Sequence, residues 1–585
     1  MIRVHLLAIV AAALLLIAPT AARAQRYTLC SGGATGYDIV VGNNASESEK
    51  NAAKELQNYL KQVSGATFAI LQSPARGRHY ISIGYNDLCS RALGLSKAPD
   101  ESSDAYTYCT KDGNIYIYGS RKRGSMYGVF AFLEDQTGIR WYAPGVTKIP
   151  TLRRYRFAEL SRSSAPAIAM RSIAYHNTHN AAWSAHNRVN GNPSSTIKFK
   201  EWGDADCFWS CHTTGVFMPA SEFFAAHPEY FALRDGKRIA DGQLCLSNPD
   251  VLRICTERLI AAIRREPAYA IYDLSQKDNQ LYCQCSKCTA IANRYGGQSG
   301  LWLWFVNQAA REVKKVYPDK YVGTFAYQYT RTPPRGIRPD DNVVVRLCSI
   351  ECCFMHSLEG CTDERNQRFV NDLRAWSEIA PHLYIWDYVT AFSQYVAPFP
   401  DFAVLGPNIR TFADNKSIGV VEEGQYSGDY GEFSELRAYL LARLLWDPDQ
   451  NTDSLAHDFI NAFYGSQATV AGKYYDMVCA LVRPDVHQGI YPQANAAIYT
   501  DDFINRAITL LSAGVRAART TEERQRMEHL WMAPAYLRIR RDYKRAKADG
   551  SFDEFFRIAR RDNIQLREGL KSIDDIETEI ERNGR

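Results

Sequence analysis

Apolar residues recur along this chain in two rhythms. Ala52, Leu56, Tyr59, Leu60 and Val63 fall at helical spacing, which predicts an amphipathic helix over 44–64 that Gly65 stops. Segments 37–41, 80–83, 105–108 and 114–118 instead alternate apolar and polar positions, as half-buried strands do. With a closing helix at 123–136, residues 25–160 read as a small α/β domain, a sheet with helices packed on it.

From 165 to 450 strand-like and helix-like runs take turns. Strands are predicted at 169–175, 269–275, 321–327, 343–348, 383–388 and 418–421, with helices at 249–265, 301–316 and 366–379 between them. That alternation predicts a (β/α)₈ TIM-like barrel, an α/β fold. Only six strands are legible, so the missing two are expected in the irregular stretch 176–246. Residues 451–585 read as a helical C-terminal domain. Gly465 ends one of its helices, Thr520-x-x-Glu523 forms a capping box, and 553–583 is a single charged helix. No internal repeat or low-complexity segment is present.

Composition narrows the class. Apolar residues make up 46% and charged residues 23% of 585, a globular balance that excludes a disordered or collagen-like chain. A net charge of +5 lacks the basic stripe of a nucleic-acid binder, so no nucleic-acid partner is expected. Residues 1–24 read as a signal peptide: Arg3, an apolar run at 6–17, then Ala22-Arg23-Ala24 as a small-x-small cleavage site. An uncleaved anchor is the alternative. With the leader removed no membrane span remains, and the protein is expected to be secreted or periplasmic. In an oxidising compartment several of the 15 cysteines are expected to pair as disulfides. The spacing Cys283-x-Cys285-x-x-Cys288 also suits a zinc ion, but a fourth ligand is not adjacent in sequence, and free thiols are a third reading. No metal and no cofactor enter the expected site. There is neither a dinucleotide fingerprint nor a Walker-type loop.

Two stretches carry a family likeness. The run Tyr118-Gly-Ser-Arg-Lys-Arg-Gly-Ser-Met-Tyr-Gly-Val-Phe-Ala-Phe-Leu-Glu134, followed by Gly138-Ile-Arg-Trp-Tyr-Ala-Pro144, resembles the N-terminal domain shared by bacterial α-glucuronidases and β-hexosaminidases. That resemblance implies a catalytic (β/α)₈ barrel downstream; the N-terminal domain itself normally holds no catalytic residue. Cys211-His-Thr-Thr-Gly-Val-Phe-Met-Pro219, His227-Pro-Glu-Tyr-Phe231, Ile385-Trp-Asp-Tyr388 and Gly419-Val-Val-Glu-Glu-Gly424 resemble a group of secreted bacterial proteins whose barrel domain has no assigned function. The helical C-terminal domain is similar to the α-glucuronidase plan.

Reactive groups of such barrels sit at the C-terminal ends of strands. Four acids meet that rule: Asp278, Glu351, Asp387 and Glu422. Glycoside hydrolysis needs two carboxyls, one to protonate the leaving oxygen and one to activate water or attack carbon. Asp387 and Glu422 follow apolar strand residues and form the expected pair, and the α-glucuronidase resemblance implies a base-side Asp and Glu at these places. Asp278 and Glu351 are the alternatives for the proton donor. The bland reading of each is a strand-end acid that bonds loop amides. Sugar-binding groups are expected among His176, His179, His212, Arg171, Arg346, Trp386 and Tyr426. Arginines grip a uronate bidentately and aromatic faces cover sugar rings, although a structural ion pair is the other reading for both arginines. The sequence therefore predicts an exported glycoside hydrolase acting on an oligosaccharide or polysaccharide, possessing paired carboxylates and directed at an acidic, uronic sugar. The alternative is a non-catalytic glycan-binding protein on a degenerate glycosidase barrel.

Overall fold

The computed structural model describes residues 26–191, 199–569 and 571–584, so the expected leader lies outside the described residues. The first unit is a six-stranded sheet built from β1 (Tyr37–Val41), β2 (Ile70–Leu71), β3 (His79–Ile83), β4 (Tyr106–Lys111), β5 (Asn114–Gly119) and β6 (Ser161–Ser164), in the order β6-β4-β5-β3-β1-β2. Helices α1 (Glu47–Ser64) and α2 (Gly124–Thr137) bury their apolar residues in its core. Local chemistry sets the ends of α1. Ser46 Oγ accepts from the Glu49 amide, and Glu49 returns the bond to the Ser46 amide at 2.8 Å. Gly65 ends the helix with φ at 75°, a conformation that favours glycine.

The second sheet is parallel throughout and curls. Its strands are β7 (Met170–Ala174), β8 (Phe208–Trp209), β9 (Ile271–Asp273), β10 (Tyr321–Ala326), β11 (Val343–Cys348), β12 (His382–Tyr388) and β13 (Ser417–Glu423), in the order β7-β13-β12-β11-β10-β9-β8. Seven strands leave one gap, between β7 and β8. Gly191 fills it with parallel bridges to Ser172 on one side and to Asp206 on the other. Its amide donates to the Arg171 carbonyl at 2.9 Å, and the Asp206 amide donates to the Asn190 carbonyl at 2.6 Å. One residue thus serves as the eighth stave. Both positions that escape the sequence reading, Gly191 and β8, fall inside the stretch where the missing strands are expected. Neither carries an apolar run long enough to register as a strand.

The stave has no room for a side chain. A Cβ on Gly191 meets Met170 Sδ at 2.7 Å, Ser172 Cβ at 2.9 Å and the Arg171 carbonyl at 3.1 Å. Gly191→Ala is expected to cost about 1–3 kcal/mol of stability, the usual range for overpacking. The urea midpoint measures this, and an unchanged midpoint rules out the tight closure.

Side chains of the barrel strands alternate between two cores. Met170, Phe208, Ile271, Val344 and Val421 fill the interior, while Ile173, Val345, Ile385 and Val420 face outward into the main core. Helices α3 (Pro249–Arg265), α4 (Gln298–Val316), α5 (Glu364–Ile379), α6 (Leu405–Asp414) and α7 (Ser434–Trp446) bury residues in that outer core. So do the C-terminal helices, from α8 (Thr452–Phe463) to α9 (Ile573–Gly584).

Two expectations about this half need correction. The chain 553–583 is two helices, Ser551–Arg561 and Ile573–Gly584, separated by a turn in which Asn563 has φ at 50°. Thr520 does cap the helix Thr521–Arg541, but Glu523 turns its carboxylate to the Arg519 and Ser466 amides, so the box is not reciprocal. No helix among the described residues is long and apolar enough to cross a membrane.

The sheet unit is bolted to the barrel by buried charge. Asp104 bonds Arg123 at 2.8 Å and Arg171 at 2.7 Å. Burial raises its carboxyl, but the two guanidiniums outweigh that and hold it at about 2. Glu134 on α2 pairs with Arg188 and Arg443, each at 2.5 Å.

Candidate active site

Strand alternation decides which acids reach the cavity at the C-terminal end of the barrel. On β13, Gly419, Val421 and Glu423 share the inner face, which leaves Glu422 on the outer one. On β12, Tyr384 and Trp386 point in and Asp387 points out. Asp387 and Glu422 are register partners, adjacent as expected, yet both are sealed between the sheet and its surrounding helices. Ser349 Oγ donates to Asp387 Oδ1, and burial pushes that carboxyl up to about 6. Burial, with Asp387 beside it, pushes Glu422 well above the carboxylate range. Neither lines the cavity.

The acid that does so is the neighbour, Glu423. The cavity measures about 360 Å³ and is lined by Asp278, Glu423 and Glu568, with His212, Trp386, Tyr388 and other aromatic rings around them. Its volume lies within the roughly 300–1,000 Å³ of small-molecule sites. The Trp386 indole N–H donates to Glu423 Oε2 at 2.6 Å. Burial pushes Glu423 up to about 7 against that bond, and Glu568 and Asp278 add to the push. Asp278 follows β9, across the barrel from β13 in strand order. The Tyr327 hydroxyl donates to its Oδ1 at 3.0 Å. The mouth is completed from far along the chain. Glu568 accepts from the Tyr426 hydroxyl at 3.2 Å, and burial raises its carboxyl. The break between the last two helices delivers it: the Glu568 amide donates to Phe392 O, and the Tyr395 amide to Leu566 O.

Of the expected sugar-binding groups, His212, Trp386 and Tyr426 line this cavity. His212 lies 2.6 Å from the Gln276 carbonyl through Nδ1, so Nδ1 carries the proton and Nε2 keeps its lone pair. Burial lowers its pKa, which keeps the ring neutral. The others are elsewhere. His176 and His179 meet edge to face beside a separate cavity, His176 bonding Asp429 at 2.8 Å. Arg171 is the fully buried partner of Asp104. Arg346 lies beneath the cavity, paired with Asp273 and packed against the rings of Phe208, Phe325 and Trp386. Glu351 is bound to Arg331 at 2.9 Å and does not line the cavity. Both arginines thus take the structural alternative.

The cysteines also depart from the expected disulfides. Cys283, Cys285 and Cys288 are thiols, and Cys245, contributed from before α3, joins them as a fourth sulfur.

The site is thus an acid-lined, aromatic-walled bowl at the C-terminal end of an α/β barrel. Residues 141–476 match the family model described as "Domain of unknown function (DUF4838)", and the chain belongs to that family. A search of curated proteins finds no match. Among solved structures the chain is similar to BtGH115A, a family GH115 4-O-methyl-α-glucuronidase with specificity for decorated arabinogalactans: 11% identity, TM-score 0.57, over 92% of this chain and 77% of that one. It is similar to CpGH84B at 11% identity and TM-score 0.50, over 95% and 97% of the two chains. A Streptomyces plicatus β-hexosaminidase matches more loosely, with TM-score 0.44 and 11% identity over 79% of this chain and 93% of that one. The neighbours are glycoside hydrolases of several families, so the chain has a glycosidase-like fold.

Proposed function

We propose that this protein is an exported glycoside hydrolase in which Glu423 is the proton donor and Asp278 the second carboxyl. One observation carries the reading: two acids in unlike surroundings meet at the mouth of a barrel with a glycosidase-like fold. Glu423 is desolvated and holds its proton to about pH 7, whereas Asp278 is partly solvated and takes a phenol hydrogen bond. Such a split in surroundings assigns acid and base roles. With Trp386 occupying Oε2, the proton sits on Glu423 Oε1 and passes to the leaving oxygen. Asp278 then activates water or attacks the anomeric carbon. The rings of Tyr388, Tyr426 and Tyr491 offer faces to the sugar.

The wall favours neutral sugars over uronic ones. Beside the protonated Glu423 stand two further acids, Asp278 and Glu568, and one neutral imidazole, and among the described residues no lysine or arginine lines the cavity to pair with a uronate carboxylate. The leader read at 1–24 supports export.

A panel of neutral and uronic glycosides tests the reading. Release of sugar from a neutral glycoside is expected, with kcat/KM falling above about pH 7 as Glu423 loses its proton. Trp386→Phe removes a bond that lowers that pKa, so the alkaline limb is expected to move to higher pH. Sugar binding without product across the panel overturns hydrolysis and leaves the glycan-binding alternative.

A further inference from the structure

Two clusters, one of four sulfurs and one of two sulfurs and two imidazoles, converge where no disulfide is formed. In the first, Cys245, Cys283, Cys285 and Cys288 place all four sulfurs within 4.8 Å of one another. Cys245 Sγ lies 3.7 Å from Cys285 Sγ and 3.9 Å from Cys288 Sγ. A disulfide needs about 2.05 Å. A tetrahedral zinc ion with Zn–S bonds of about 2.3 Å requires edges of about 3.8 Å, and these separations match. The Leu233 amide donates to Cys283 Sγ at 3.3 Å and the Cys288 amide to Cys285 Sγ at 3.4 Å, bonds that stabilise thiolates.

The second cluster is Cys353, His356, Cys361 and His487, again within 4.8 Å. Cys353 Sγ to His356 Nδ1 is 3.6 Å, Cys361 Sγ to His356 Nδ1 is 3.8 Å and Cys361 Sγ to His487 Nδ1 is 3.5 Å. Bonds of about 2.3 Å to sulfur and 2.0–2.1 Å to nitrogen give a tetrahedral S···N edge of about 3.5 Å. The tautomer is fixed as a ligand requires: His356 Nε2 lies 3.1 Å from the Arg483 carbonyl and so carries the proton, which leaves the Nδ1 lone pair facing the sulfurs.

We propose that the chain holds two structural zinc ions, one in a Cys₄ and one in a Cys₂His₂ site, each tying together a loop that reaches the cavity. The first site anchors the loop that runs from Asp278 to Cys283 against the segment of Cys245. The second joins the loop after β11 to the segment 487–491, where Phe354 N bonds Gln488 O and Ile490 and Tyr491 line the cavity. The ions act on the architecture of the mouth and stand whatever reaction it performs.

Elemental analysis of the full chain, purified under reducing conditions and dialysed against zinc, is expected to give two zinc ions per chain. X-ray absorption on the same sample should show sulfur and nitrogen ligands in a ratio of 3:1, the average of the two sites. Cys245→Ser and His487→Ala should each bring the count from two to one. Should either variant fail to fold, the absorption spectrum of the native chain decides alone. A zinc shell made of oxygen and nitrogen, fewer than one zinc per chain, or peptide mapping that finds these cysteines in disulfides overturns the proposal.

Discussion

Glu423→Gln is expected to lower turnover of a cleaved glycoside by about 10²–10⁴, the range for loss of a positioned general acid. Glu422→Gln, one residue earlier, should leave the rate unchanged. The contrast follows from the two-residue period of a strand: successive side chains point to opposite faces, so adjacent acids inhabit different environments. Glu423 borders the cavity and is bonded to Trp386. Glu422 is sealed in the outer layer beside Asp387, and burial keeps it protonated, so a neutral amide imitates the state it already occupies. Asp278→Asn should be at least as damaging as Glu423→Gln, because no other carboxyl on the β9 side lines the cavity. Rates on an activated aryl glycoside sharpen the assignment. A good leaving group needs no proton, so Glu423→Gln should be partly rescued there while Asp278→Asn is not. Equal loss in Glu422→Gln and Glu423→Gln would place the chemistry in the outer layer and sink the assignment.

Of the four acids expected from the sequence, Asp278 lines the cavity; Glu422 stands one residue before Glu423, which does, while Asp387 and Glu351 do not. The strand ending in Glu422-Glu423 was legible because Val420 and Val421 precede the acids, and Asp278 was legible from the strand before it. Which of two consecutive glutamates faces inward was not, because a strand buried on both faces shows no polar alternation to fix its phase. The barrel itself was readable from six strands, while Gly191 and the two-residue Phe208–Trp209 stave carry too few residues for any periodicity. Glu568 could not be foreseen from spacing. Its segment is as charged as the helices on either side, and the first of them ends at Arg561 with no glycine or proline beside it; the glycine of the connection, Gly569, comes only after Glu568. Cys245 was missed as a fourth sulfur for a related reason: ligands gathered by tertiary folding leave no short motif.

Arg437→Met is expected to cost about 3–5 kcal/mol at neutral pH, the range for breaking a buried ion pair by removing one partner. Arg437 is the cation at the centre of the outer acid cluster, bonded to Asp401 at 2.9 Å and to Glu432 at 3.0 Å and donating to the Phe399 carbonyl. Asp387 and Glu422 share that layer but are not bonded to Arg437, so its guanidinium serves two of the four buried carboxyls. Burial pushes Asp387 to about 6 and Glu432 to about 7, and raises Asp401 and Glu422 as well. Each therefore binds its proton more tightly folded than unfolded. Their contribution to stability is complete below the ordinary carboxylate pKa of about 4 and is lost as pH climbs through the folded values. Asp104 and Glu134, held at about 2, have the opposite sign but are mostly ionised in both states from pH 5 upward, so they change little between two measurements in that range. In Arg437→Met the cation that lowers Asp401 and Glu432 is gone. At pH 5 those acids are protonated and the loss is mainly hydrogen bonds; at pH 8 folding must hold them against ionisation with no partner. Urea unfolding should therefore show a markedly larger destabilisation at pH 8 than at pH 5. An equal cost at the two pH values would mean that the cluster is not held by the charge of Arg437.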